Sequence, residues 1–281
     1  MKKLQKNAIV HFYIRSGTKM RMVEAFHTCH GRKLFSKYSL KGTPSLIFIA
    51  GLGDSSESWD VVQDRISQIT STFSYDRAGV GRSEAARLPR TCLGLVQELS
   101  ELLSRIPVKS PYILVGHSFG GLIARLFASR YPAMVSGIVL IDAAHEYKEL
   151  AYEKILPEKL IPVNRAYLEN PMLNREKIDK LRSYKEVVDH SRQSNIPLSI
   201  ITSGLPDGGD RDDGNDDNDG DDGEWPQQEI LQIEQRLQAG FKRLSTVSKI
   251  RIAGRSRHYV HHDEPEVVIE EIINMLKGME L

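Results

Sequence analysis

PYILVGHSFGGLIARLFASRYP (residues 111–132) runs from an apolar stretch into a helical one, with a serine held between glycines at the junction. A strand-to-helix turn tight enough to expose its middle side chain brings the two backbones close together, so small residues are needed on either side. Gly116 and Gly120 meet that need around Ser118. Such a turn holds a hydroxyl above the carboxyl end of a sheet. It also sets the Phe119 N–H at a helix N-terminus, where positive partial charge can stabilise an oxyanion. The stretch therefore predicts a strand, a nucleophile elbow and an amphipathic helix.

Around it, strand-like runs alternate with helical ones, the pattern of a mostly parallel sheet covered by helices on both faces. The runs are SLIFIA (45–50), TFSYD (72–76), YILVGH (112–117), GIVLID (137–142), PLSIIT (197–202) and SKIRIAG (248–254). Between the second and third, Leu95, Leu99, Leu102 and Ile106 fall at helical spacing. Asp263 as N-cap, Pro265 in the first turn and Glu266 mark a final helix. An antiparallel hairpin is expected within residues 8–40.

Two segments interrupt the alternation. Residues 143–195 are charged and amphipathic and carry Pro157, Pro162 and Pro171, which reads as several short helices forming a small cap. Residues 207–224 contain ten acidic residues and almost nothing apolar, so a disordered surface loop is expected. NDDNDG (215–220) resembles the start of a calcium loop, but Asn215 stands in the first position and Pro226 in the last.

Composition excludes several classes. At 281 residues, 40% hydrophobic and 27% charged, the chain suits one α/β domain of roughly 200–250 residues with additions. Its formal charge of +1 gives no field favouring nucleic acid, and a small neutral substrate fits better. Cys29 and Cys92 lack metal-ligand spacing and read as reduced thiols. No run reaches the ~18–20 apolar residues of a membrane span, and the N-terminal apolar run of about seven residues, which contains His11 and precedes no small-residue cleavage site, is not expected to be a signal peptide. A cytoplasmic location is expected.

A serine hydroxyl is a weak nucleophile and needs a base, itself oriented by an acid, in the chain order serine, acid, histidine. His258 follows the last strand-like run and precedes the final helix; His261 and His262 are alternatives in the same loop. A second oxyanion donor is expected from IAGLGDSSESW (49–59), where Gly51 and Gly53 let the Leu52 N–H point into the site.

GLGDSSESW (51–59), SYDRAGVGRSE (74–84), GHSFGG (116–121) and RHYVHHDEPE (257–266) together resemble the α/β-hydrolase-fold superfamily, in its serine esterase, lipase and haloperoxidase-like group. The resemblance covers about residues 25–142 and 196–280. It implies a mostly parallel eight-stranded sheet with helices on both faces, and a helical cap (143–195) inserted before the next-to-last strand of a core formed by 1–142 and 196–281. It also implies a serine nucleophile, no metal and no organic cofactor. Relatives with dehalogenase or epoxide hydrolase activity carry aspartate at the elbow, which Ser118 argues against. Asp76, Arg77, Gly79 and Gly81 match a loop whose role is structural. Ala50-Gly51 stands where the family has His-Gly, and Arg257 where a glycine commonly precedes the histidine. For the acid, the commoner family position falls on Asp207, in SGLPD (203–207), and a rarer one on Asp142, ending GIVLID. One of the two is expected, with Asp142 preferred because Asp207 opens an acidic tract in which some aspartate was bound to fall.

The expectation is a serine hydrolase that cleaves a small or medium carboxylic ester through an acyl-enzyme. Amidase, thioesterase and lactonase activities use the same machinery. A non-catalytic ligand-binding module of this fold is the alternative from another class, and such modules commonly lack a triad member. Neither the oligomeric state nor the natural substrate is readable at this level.

Overall fold

The computed structural model describes residues 10–11, 22–86, 88–207 and 225–279. Among them a nine-stranded sheet forms from β1 (Val10–His11), β2 (Val23–Cys29), β3 (Arg32–Ser39), β4 (Ser45–Ile49), β5 (Thr72–Tyr75), β6 (Tyr112–His117), β7 (Val135–Ile141), β8 (Leu198–Ser203) and β9 (Ser248–Ala253). Their spatial order is β1-β2-β3-β5-β4-β6-β7-β8-β9. Strands from β5 onward in that order pair in parallel, while β1, β2 and β3 are antiparallel. Eight strands thus make the expected sheet, and two-residue β1 adds an edge. The expected hairpin is β2–β3. The acidic tract from 208 to 224 lies outside the described residues.

The central strands are apolar throughout because both faces are covered. Leu46, Phe48, Ile113, Val115, Val139 and Ile141 point to one layer. Ile47, Ile49, Leu114, Ile138 and Leu140, alternating with them, point to the other. On the first face pack α1 (Asp60–Ser67) and, at the chain's end, α9 (Pro265–Met279). On the second pack α2 (Cys92–Ser104), capped by Thr91, and α3 (Phe119–Arg130).

Between β7 and β8 lie α4 (Lys148–Tyr152), α5 (Ile161–Glu169) and α6 (Lys180–His190), joined by 3₁₀ turns. Tyr184 and Val187 of α6 join the main core, so this insertion is anchored on α2 and α3. Tyr152, Leu156 and Leu160 instead form a small cluster with Ile230 of α7 (Gln227–Ala239). A single turn, α8 (Val260–Asp263), precedes α9. Asp263 therefore ends α8 instead of capping the last helix, which starts at Pro265, whose ring pre-sets the first helical φ. Its carboxylate accepts a hydrogen bond from Arg257 N–H at 2.9 Å.

Candidate active site

Ser118 lies between β6 and α3 with φ 50° and ψ −121°, a strained conformation for a residue bearing a Cβ. The glycines explain how the turn is reached. A Cβ on Gly120 would run into the Ile49 carbonyl oxygen and stand 2.7 Å from that of Ala50, and one on Gly116 would stand 2.6 Å from the Gly120 carbonyl. β4, β6 and α3 therefore meet as backbone against backbone. Phe119 N–H is the first donor of α3 and has no intrahelical acceptor. The N–H of Leu52 likewise enters no backbone hydrogen bond among the described residues.

His258 Nδ1 is 2.6 Å from Asp142 Oδ2. Asp142 directly follows β7, with φ 39°, and is 2% exposed. Its Oδ1 accepts from Ser203 N–H at 3.0 Å, Ser203 Oγ at 3.1 Å and Gln238 Nε2 at 3.0 Å. Burial opposes the charge on Asp142, but the His258 hydrogen bond and charge, with the Ser203 and Gln238 donors, hold its carboxyl below the usual range. For His258, burial disfavours protonation and is outweighed by Asp142, so its pKa rises to about 8. Asp207 accepts the His258 backbone N–H at 3.1 Å. The two candidate acids thus divide, Asp142 meeting the imidazole and Asp207 the backbone.

Of the alternative bases, His261 is buried and stacked 4.4 Å from the Trp59 ring, and burial pushes its pKa well below the ordinary value. His262 is exposed and donates Nε2–H to the Ser58 carbonyl at 2.9 Å. His258 alone of the three borders the cavity beside Ser118, which has a volume of about 660 Å³. Leu52, Phe119 and Asp207 also border it, and its outer wall comes from the β7–β8 insertion and α7, including Tyr167, Leu173 and Ile230.

Several side chains support the site from behind. His117 donates Nε2–H to the His258 carbonyl at 3.0 Å, and burial lowers its pKa and keeps it neutral. Its Nδ1 would stand 2.9 Å from a Cβ on Gly51, so an imidazole from the elbow fills the space beside the loop that lacks His-Gly. Arg77 donates Nη1–H to the Ala50 carbonyl at 2.8 Å and Nη2–H to that of Gly51. Its guanidinium pairs with Glu176 of the insertion, which also accepts Gly53 N–H at 2.8 Å and Arg90 Nη1–H at 2.8 Å. Both carbonyls before Leu52 and the N–H after it are thereby held by buried charge. Arg77 was visible in its motif, but Glu176, Gln238 and Ser203 sit in stretches whose pattern says nothing of their partners.

Among the described residues no group of three or more histidine, cysteine or acidic side chains could hold a metal, and no helix is long and apolar enough to cross a membrane.

A family model described as alpha/beta hydrolase fold matches residues 44–160. YqjL of Bacillus subtilis (strain 168) is 31% identical over 245 residues, covering 87% of this chain and 85% of YqjL. Among solved structures, an epoxide hydrolase from Vigna radiata superposes with TM-score 0.62 at 13% identity, covering 92% of this chain and 98% of its own. The haloalkane dehalogenase DatA from Agrobacterium tumefaciens C58 gives 0.60 at 14% identity, covering 92% and 97%. At such identity these two structures speak for the fold alone.

Proposed function

The chain belongs to the α/β-hydrolase-fold superfamily, and we propose that it is a serine hydrolase cleaving a small or medium carboxylic ester through an acyl-enzyme. One observation carries this reading: the hydrogen bond from His258 Nδ1 to buried Asp142, on the rim of the cavity that Ser118 also borders. With its proton committed to Nδ1, the imidazole keeps its lone pair on Nε2 and can act as a base.

In the proposed reaction Ser118 Oγ attacks the ester carbonyl and Nε2 of His258 takes its proton. The N–H groups of Leu52 and Phe119 receive the oxyanion, and Asp142 stabilises the imidazolium. The imidazolium protonates the departing alcohol. Water, deprotonated by His258, then attacks the acyl-enzyme, and collapse of the second tetrahedral intermediate frees the acid and restores Ser118. A cavity of about 660 Å³ suits a small or medium substrate under a cap formed by the insertion. Amide, thioester and lactone substrates would pass through the same steps.

Intact-mass labelling with a fluorophosphonate tests the reading. Rapid single addition to the native protein, lost in Ser118→Ala and His258→Ala, is the expected result. A folded native protein that takes no label would overturn it and favour a ligand-binding module.

A further inference from the structure

The wall contributed by the insertion carries charge among its apolar side chains, which a pocket for a simple alkyl ester does not need. Glu149 of α4 and Lys180 of α6 both border the cavity, with side chains 3% and 4% exposed. Lys180 Nζ–H donates to Glu149 Oε1 at 3.2 Å, and the same oxygen accepts the Tyr184 hydroxyl at 2.9 Å. Asn164 donates Nδ2–H to the Glu149 carbonyl at 2.8 Å, fixing the turn that carries the carboxylate. The ammonium also lies 3.4 Å from the centroid of the Tyr167 ring. Burial works against the charge on Glu149, but Lys180 and Lys148 hold its pKa below the ordinary carboxylate value.

Glu149 Oε2 is buried and has no hydrogen-bond partner among the described residues. A desolvated ion pair with one oxygen left unanswered is a costly arrangement for a wall, since an apolar lining of the same shape avoids both penalties. It is a useful one if a ligand supplies the missing donor. Lys180, with one N–H on Glu149 and its face on Tyr167, keeps donor capacity for an acceptor beside it. Because the pair is already neutral as a unit, a charged arm would leave one of the two over-compensated.

We propose that Glu149 and Lys180 form a recognition subsite for an uncharged, donor-bearing polar group, a hydroxyl or an amide N–H, on the part of the substrate remote from the scissile bond. This names the substrate class of the proposed hydrolase and rests on the cavity being its substrate site. The esters turned over would be those of hydroxylated or amide-bearing acids or alcohols, and simple alkyl esters would be the poorer ligands. A site built to satisfy a substrate donor discriminates strongly against the analogue that lacks it, because its own buried acceptor is then left unpaired.

The test separates binding from catalysis. Calorimetry would compare methyl ketones of graded chain length ending in a hydroxyl, a methyl or a carboxylate group, on the native protein and on Glu149→Gln. At the chain length that reaches the subsite, the native protein is expected to favour the hydroxyl-ended ketone over its methyl-ended partner by about tenfold or more. The carboxylate-ended ketone should bind no better than the methyl-ended one. In Glu149→Gln an amide N–H stands in place of the charged acceptor, so the hydroxyl can be met only as an acceptor, and its preference should fall because a neutral hydrogen bond is about half as strong as one to a carboxylate. The preference is a ratio within one protein, so it does not depend on how much of a variant is folded. A native ratio near one at every length, a preference for carboxylate, an equal ratio in Glu149→Gln, or binding of no ketone would each overturn the subsite. None of these depends on the fluorophosphonate result, which addresses the serine chemistry alone.

Discussion

Replacing Asp142 by asparagine should do more than remove a charge. Three donors, the Ser203 N–H, the Ser203 hydroxyl and Gln238 Nε2, converge on Oδ1, so the amide oxygen of the variant is held there. The amide nitrogen is then turned toward His258 Nδ1. Two donors cannot share that contact, so the imidazole must shift its proton to Nε2, the nitrogen needed to accept the Ser118 proton. The lost charge adds a second effect. His258 titrates at about 8 against an ordinary 6.5, a difference worth about 2 kcal/mol of imidazolium stabilisation, or about thirty-fold in rate. With the wrong tautomer included, kcat/KM on an activated ester should fall by about 10³–10⁴, as in other serine triads. The acid limb of the native profile, near pH 8, should move to lower pH because burial then acts on the imidazole with only Asp207 and Glu234 to oppose it. Asp207→Asn is the matched control: its amide oxygen can still accept the His258 N–H, so the loss should stay within about tenfold. A pH–rate profile of both variants, with His258 followed by NMR, decides the matter. A thousandfold loss in Asp207→Asn with near-native Asp142→Asn would refute the reasoning and transfer the role to Asp207.

Gly120→Ala should lower stability by about 3 kcal/mol or more in urea unfolding, because the new methyl meets the backbone of Ile49 and Ala50; a change within 0.5 kcal/mol would mean that β4 and α3 can separate freely. Ser118→Gly should be more stable than Ser118→Ala by about 1 kcal/mol, since it releases the φ 50° strain that a Cβ maintains; equal melting would remove strain from the account. Glu176→Gln leaves Arg77 and Arg90 without their shared carboxylate and should cost about 3–5 kcal/mol, read by urea unfolding, and a variant as stable as the native protein would show the network to be dispensable. His258 also links folding to pH: its folded-state pKa is raised, so its contribution of about 2 kcal/mol is fully present below pH 6.5 and is lost as pH rises through about 8, a trend that Asp142→Asn should abolish.

Much of the molecule was determined by local pattern alone. Alternating apolar strands with amphipathic helices bury their faces as a covered parallel sheet, and the Gly116-x-Ser118-x-Gly120 spacing suits a tight turn, so the fold, the elbow and a candidate nucleophile were readable from residues adjacent in the chain. The late loop similarly offered His258, with two neighbours that pattern could not separate from it. Only the tertiary structure put His261 against Trp59 and turned His262 to the Ser58 carbonyl, because which face of a one-turn helix is buried depends on what packs beside it. Sequence favoured Asp142 over Asp207 only slightly, and their division between the imidazole and the backbone N–H was decided by where the chain leaving β7, the chain leaving β8 and the loop after β9 come together. The ion pairs of Glu176 with Arg77 and of Glu149 with Lys180 left no local trace: a charged residue in an amphipathic insertion reads as solvated until the fold removes its water and supplies a partner from elsewhere in the chain.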